Sequence, residues 1–342
     1  MNLSRIASGI FIAMAVIALL IIGKDFILPL VIAVLIWFLI KEIRKVLFKI
    51  PFVGRRIPKW VLSVTATLVL FVVSGVMIGL VIDNIDRLSG NMPVYQANFK
   101  IISTDFLTKY NIDFSELFST YLGDYDFTTI FKEILNSITE LFSSAFMIGF
   151  YVLFLFIEEN VFRQKLVSLY PDNSRFKDVS NTLERISFAI SKYISLKTLV
   201  SLITGVSTFI ALLIIGVDTP LFWAFLIFVL NFIPVVGALI AIIFPATIAL
   251  FQFGDLTHFF LVLGIIGTIQ LIVGNVLEPK IMGNSLNVSS LVVILSLSFW
   301  GMVWGITGMV LSVPITVIMI ILFSQFPLTK SLAIILSEKG EV

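Results

Sequence analysis

Residues 221–251 read LFWAFLIFVLNFIPVVGALIAIIFPATIALF. No charge interrupts the block, and as one helix it would reach about 46 Å, past the ~30 Å hydrocarbon core of a bilayer. Working outward, the same character recurs: of 342 residues, 59% are hydrophobic and 13% charged, with mean hydropathy +1.10. A soluble domain carries ~25% charged residues, so the excess apolar surface must face lipid. The fold class that follows is all-α: a polytopic integral membrane protein with about eight apolar segments.

Composition also narrows the chemistry. There is no cysteine and a single histidine, His258, so thiolate chemistry and multi-histidine zinc sites are absent. A net charge of +2 gives no reason to expect a nucleic-acid partner. No GxxxxGK[ST], HExxH or GxSxG occurs, which points away from ATP hydrolysis, zincin and serine-hydrolase chemistry. No cofactor is expected, and the chain reads as a non-enzyme.

Residues 6–22 and 26–40 form two apolar helices around Gly23-Lys24-Asp25, and a basic loop follows at 41–60 with seven bases against Glu42. Short loops this basic stay cytoplasmic, which puts the N-terminus inside and completes a first region, 1–82. Region 83–140 holds nine acids and four bases and reads as an extracytoplasmic helical insert, with Ile130, Ile134 and Ile138 on one amphipathic face. Region 141–193 supplies a span to residue 157. In it, Phe176, Val179, Leu183, Ile186 and Ile190 then mark an amphipathic cytoplasmic helix. Region 194–327 is the C-terminal transmembrane part, beginning with a span at 194–215, and 328–342 is a cytoplasmic tail.

Two of the C-terminal blocks, 221–251 and 288–323, are too long for simple spans and carry helix breakers. The first holds Asn231, Pro234, Gly237 and Pro245; the second holds Gly301, Gly305, Gly308 and Pro314. Each is either a kinked span or a re-entrant hairpin of two half-helices, and the mid-block Asn and Pro favour hairpins. Gly301-x-x-x-Gly305, interleaved with Trp300 and Trp304, is either a helix-association motif or a hairpin tip.

Between these blocks, a helical wheel places Gly264, Gly267, Gln270, Gly274, Asn275 and Glu278 within an arc of ~140°. Lys280 lies just beyond, next to Pro279. Ionisable groups inside a membrane mark function. The candidate pathway is therefore Asn231, Pro234, Gly237, Gln270, Gly274, Asn275, Glu278 and Lys280. Asp218, Asp255 and His258, at segment ends, read as solvated loop positions.

Three strings, NFIPVVGALIA (231–241), QLIVGNVLEPKIMGNSLNVSSLVVILSLSFWG (270–301) and GITGMVLSVPITVIM (305–319), resemble the autoinducer-2 exporter family of bacterial membrane proteins. The matching positions are Asn231, Pro234, Gly237, Gln270, Asn275, Pro279, Gly283 and Leu286. Where many members carry an acid two residues before Asn275, this chain has Val273, and its acid stands at Glu278. The resemblance implies an inner-membrane, ATP-independent transporter of a small polar solute, with both termini cytoplasmic. It also implies a homo-oligomer, a pentamer among the candidates. Some relatives act as sodium(lithium)/proton antiporters, so protons or sodium are candidate partners alongside membrane lipid. A non-transporting membrane scaffold is the alternative from another class.

Overall fold

The computed structural model describes residues 3–48, 58–110, 144–171, 173–283 and 287–341. The middle of the basic loop, most of the acidic insert with Ile130, Ile134 and Ile138, and Leu286 lie outside them. Among the described residues, six helical stretches are long and apolar enough to cross a membrane: Lys24–Lys45, Thr67–Asn84, Ser174–Ile215, Val236–Phe253, Leu256–Met282 and Ser290–Ser324. This is a multi-pass, all-helical membrane protein. Its chain divides into two compact units, one of Met1–Ser74, Ser143–Ser195 and Asn284–Val342, the other of Gly75–Phe142 and Leu196–Gly283.

In the first unit, α1 (Leu3–Ile22) and α2 (Lys24–Phe48) are separated at Gly23, where the sequence places the break. Helix α5 (Ala145–Leu169) lies along α2, burying Ala33 and Ile40 against Ile148 and Val152. At the end of this seam Glu159 accepts from Lys41 at 3.2 Å and Arg44 at 3.3 Å. Lys41 also sits 4.2 Å above the Trp37 ring. Two cations of the basic loop are therefore internally matched, and the ends of the second and fourth apolar segments lie together.

The second long block, α11 (Ser290–Ser324), is not one rod. Ser296 Oγ donates to the Ser312 carbonyl at 3.2 Å and lies 2.5 Å from Thr316 Oγ1. Sixteen residues of straight helix would separate positions 296 and 312 by about 24 Å. The chain therefore folds back on itself, at Gly305, whose φ of 63° and ψ of −145° suit only glycine. Trp300 and Trp304 pack beside this turn against Leu20, Ile27 and Leu28, and Trp304 Nε1 donates to the Leu20 carbonyl at 2.9 Å. A Cβ added at Gly308 would stand 2.0 Å from the Trp300 carbonyl oxygen, so the arms touch backbone to backbone. The tail helix α12 (Lys330–Leu336) closes on the start of this hairpin, with Ser289 N–H donating to the Leu336 carbonyl at 3.1 Å.

Helix α6 (Asn173–Ile215) runs 43 residues without interruption. The sequence reading separates an amphipathic helix from a span at 193/194, yet nothing there can stop a helix. The only proline nearby, Pro171, marks the preceding break, and α6 ends at Gly216 with φ 84°.

In the second unit, α3 (Lys59–Gly90), which begins in the first, leads to α4 (Met92–Tyr110). The block 221–251 divides into α7 (Pro220–Leu230) and α8 (Val236–Phe253). These two pack together, and a Cβ on Gly237 would lie 1.8 Å from the Leu230 carbonyl oxygen. At the tip Val236 N–H donates to the Pro234 carbonyl at 2.6 Å, closing a γ-turn on Val235 at φ 62°, ψ −61°. A β-branched residue is strained there. Helix α9 (Leu256–Ile272) lies along α8, and α4 crosses α8.

Asp255 is not a free loop residue: it caps α9, accepting from His258 N–H at 2.8 Å and approaching His258 Nδ1 at 2.7 Å. Desolvation pushes its pKa up, but the His258 backbone, ring and charge and the Thr257 N–H outweigh this and leave it lowered. A depressed carboxylate stabilises the fold above its unfolded pKa, and that contribution disappears as pH falls through the lower folded value. Asp255→Ala is expected to cost about 1 kcal/mol. In melting curves of detergent-solubilised protein, the difference from wild type should be present at neutral pH and shrink as the pH is lowered through the range where the folded carboxylate takes up its proton.

Candidate functional site

The site is organised by α6. Lys197, Ser201, Thr204 and Thr208 recur at spacings of 4, 3 and 4, which puts them on one helical face, and all four are buried. Thr204 Oγ1 returns its proton to the Val200 carbonyl at 2.9 Å, whereas Thr208 Oγ1 has no partner. Gly205 lets α7 approach closely, because a Cβ there would lie 3.2 Å from the Ala224 carbonyl oxygen.

Two of the expected residues reach this face from different elements. Asn231, which caps the C-terminus of α7 ahead of the γ-turn, donates through Nδ2 to Ser201 Oγ at 3.1 Å, and its side chain is buried. Glu278 Oε1 accepts from Lys197 Nζ at 2.5 Å. The ammonium side chain is 6% exposed and the carboxylate 26%. Lys197 and Ser201 are one turn apart, so the ion pair and the amide–hydroxyl pair form a continuous polar cluster on adjacent turns.

Glu278 arrives there through an irregularity. Val273–Leu277 is a π-helical turn, closed by Glu278 N–H donating to the Val273 carbonyl, before the short α10 (Glu278–Met282). Widened turns of this kind recur at functional sites. A wheel at 100° per residue does not hold through it, so Gly274, Asn275 and Lys280 are exposed while Glu278 turns inward. Gln270, before the irregularity, is buried as expected, and its Nε2 has no hydrogen-bond partner. Pro234 is half-buried at the hairpin tip, and Gly237 is buried as the seat between its arms. A Cβ added at Gly264, Gly267 or Gly274 would meet nothing within 4 Å.

Sequence reasoning passed over Lys197, Ser201, Thr204 and Thr208, although a lysine near the start of an apolar span with hydroxyls at helical spacing is a legible signal. It also left Asp218 as a solvated position. Asp218 instead accepts from Tyr95 Oη at 2.9 Å and Asn91 Nδ2 at 3.1 Å, while its N–H donates to Gln252 Oε1 at 2.7 Å. Burial raises the Tyr95 pKa, a hydrogen bond to Asn91 lowers it, and Asp218 raises it again, to about 12. Tyr95 therefore keeps its proton. Asn98 Nδ2 adds a 2.7 Å bond to the Phe251 carbonyl, so α4 grips both ends of the α7–α8 hairpin.

With this geometry in view, comparison with known proteins is decisive. Residues 10–327 match the family described as AI-2E family transporter. The chain belongs to that family. A transport protein from Haemophilus influenzae, designated putative, is 29% identical over 99% of this chain and 97% of its own length. The AI-2 transport protein TqsA of Escherichia coli is 31% identical over 83% of this chain and 82% of its own. A similarly designated transport protein of Borreliella burgdorferi is 36% identical over 72% and 67%. The AI-2E match spans both units, from α1 to the residues just before α12, and includes the α6 cluster and both hairpins.

Proposed function

We propose that this AI-2E transporter exports a small, hydroxylated organic solute along the polar face of α6. The solute class has its precedent in the AI-2 named for the Escherichia coli relative. The observation that carries the reading is Gln270: a buried amide with an unpaired Nε2 in a lipid-facing protein, at a cost of about 1–3 kcal/mol. Such a group is retained where a passing solute supplies the missing acceptor. Asn231, Ser201 and Thr208 extend the same neutral hydrogen-bonding character, suited to hydroxyls.

In this reading the α7–α8 and α11 hairpins are re-entrant, their tips breaking the helix where the path is wet. The protein sits in the inner membrane with cytoplasmic termini and an extracytoplasmic insert, and works as a homo-oligomer. Gly237 and Pro234 shape the first tip, Asn275 and Gly274 border the path at the π-turn, and Lys280 stands at its mouth.

The expected result is that Asn231→Leu and Gln270→Leu each reduce export by about tenfold at equal membrane abundance, the effect of losing one buried hydrogen bond worth ~1.4 kcal/mol. Autoinducer-2 accumulating outside cells that lack their own exporter is the readout. Wild-type export by both variants would remove the proposed path.

A further inference from the structure

Lys197 fills the space beside a carboxylate in an apolar part of the chain. The carboxylate it meets belongs to Glu278, directly after the π-turn and directly before Pro279. Proline has no N–H, so the carbonyl it would serve one turn earlier, on Asn275 in an α register or Gly274 in a π register, loses its helical donor. A carboxylate at an irregular turn of a membrane helix is a hard-oxygen ligand of the kind with which broken membrane helices hold sodium. Here the space beside the carboxylate is filled: Lys197 Nζ lies 2.5 Å from Glu278 Oε1, and the lysine is 5% exposed.

We infer that Lys197 is a tethered cation that occupies the Glu278 site and makes this transporter independent of sodium and lithium. The inference rests on the reading of α6 as the wall of the pathway and deepens it by assigning ion specificity to one residue. Electroneutrality supplies the reason. Glu278 is more than half buried, and a lone negative charge there is disfavoured, so the carboxylate takes either a positive partner or a proton. With lysine present, the partner is covalently supplied by α6. Remove the ammonium, and the carboxylate becomes available to a small monovalent cation of the solution.

The test reads ion binding alone, without solute, so a failure of the export assay and a failure here are separable. Purified wild type, K197A and K197A/E278Q are melted in detergent at pH 8 in sodium chloride, lithium chloride or choline chloride at equal ionic strength. Wild type is expected to melt at the same temperature in all three salts. K197A is expected to melt about 1–2 °C higher in sodium or lithium than in choline, the shift that ligand binding of ~1 kcal/mol produces at about 2.1 cal/mol/K of unfolding entropy per residue over 342 residues. The double variant should lose that shift. Sodium-dependent melting of the wild type overturns the inference, as does a K197A variant indifferent to sodium and lithium. Should K197A aggregate in choline, recovery on solubilisation in sodium supports the inference. Aggregation in every salt, shared by K197Q, counts against it.

Discussion

Gly237→Ala and Gly308→Ala are expected to be among the most damaging single-methyl additions in this protein. At Gly237 the new Cβ would lie 1.8 Å from the Leu230 carbonyl oxygen, and at Gly308 it would lie 2.0 Å from that of Trp300. Both obstacles are backbone, which cannot rotate aside as a side chain can, so the methyl must push the arms of the hairpin apart. Neither glycine has a positive φ, so the effect is steric rather than conformational. Overpacking a tight site costs about 1–3 kcal/mol and more where nothing can move, which places these variants at or above the upper end. The measurement is the melting temperature of the solubilised protein together with its monodisperse yield. Gly264→Ala and Gly267→Ala are the controls: a methyl there meets nothing within 4 Å, and alanine favours the helix by about 1 kcal/mol. If Gly237→Ala and Gly308→Ala melt like those controls, the arms are not in contact and the hairpin description fails.

The hairpins show how far the sequence could be read. Block length against bilayer thickness, with Asn231, Pro234 and Gly305 in mid-block, was enough to raise the hairpin, because both signals are local. Choosing hairpin over kink needed Ser296 against Ser312, a tertiary contact that periodicity cannot carry. The wheel over 261–280 shows a different boundary. It placed Gln270 inward and drew Glu278 onto the same face, but it assumed 100° per residue through Val273–Leu277, where the turn is π-helical. Asn275 and Gly274 are exposed, on a different side of the chain from the inward-turned Glu278. The α6 cluster was missed for another reason. Across Leu196–Ile215 apolar residues dominate, and hydroxyls that bond back to their own helix, as Thr204 does, scarcely disturb the pattern of a span. Lys197 is the one charged residue there, close to the start of the span. Asp218 looked like an ordinary loop acid because Tyr95 and Asn91, which hold it, lie more than 120 residues away.

Breaking the Lys197–Glu278 pair from one side is expected to cost far more than deleting it. Lys197→Met leaves a carboxylate without its counter-charge, and Glu278→Gln leaves an ammonium that is almost wholly buried. Removing one partner of a buried pair costs ~3–5 kcal/mol, whereas replacing both with neutral groups of similar volume is often neutral or stabilising. Because the Glu278 side chain is 26% exposed, water relieves part of the first penalty. Lys197→Met should therefore lose about 2 kcal/mol, and Glu278→Gln, which strands the more buried charge, should lose more. Lys197→Met/Glu278→Gln should melt close to wild type, giving a coupling energy of the size seen only for residues in direct contact. The double variant then separates architecture from transport. A pair that serves only to hold α6 against the start of α10 predicts restored export along with restored stability. A pair whose charges take part in passage predicts a stable protein that still fails to export. Additive losses, with the double variant weaker than either single one, would mean that the two charges do not meet.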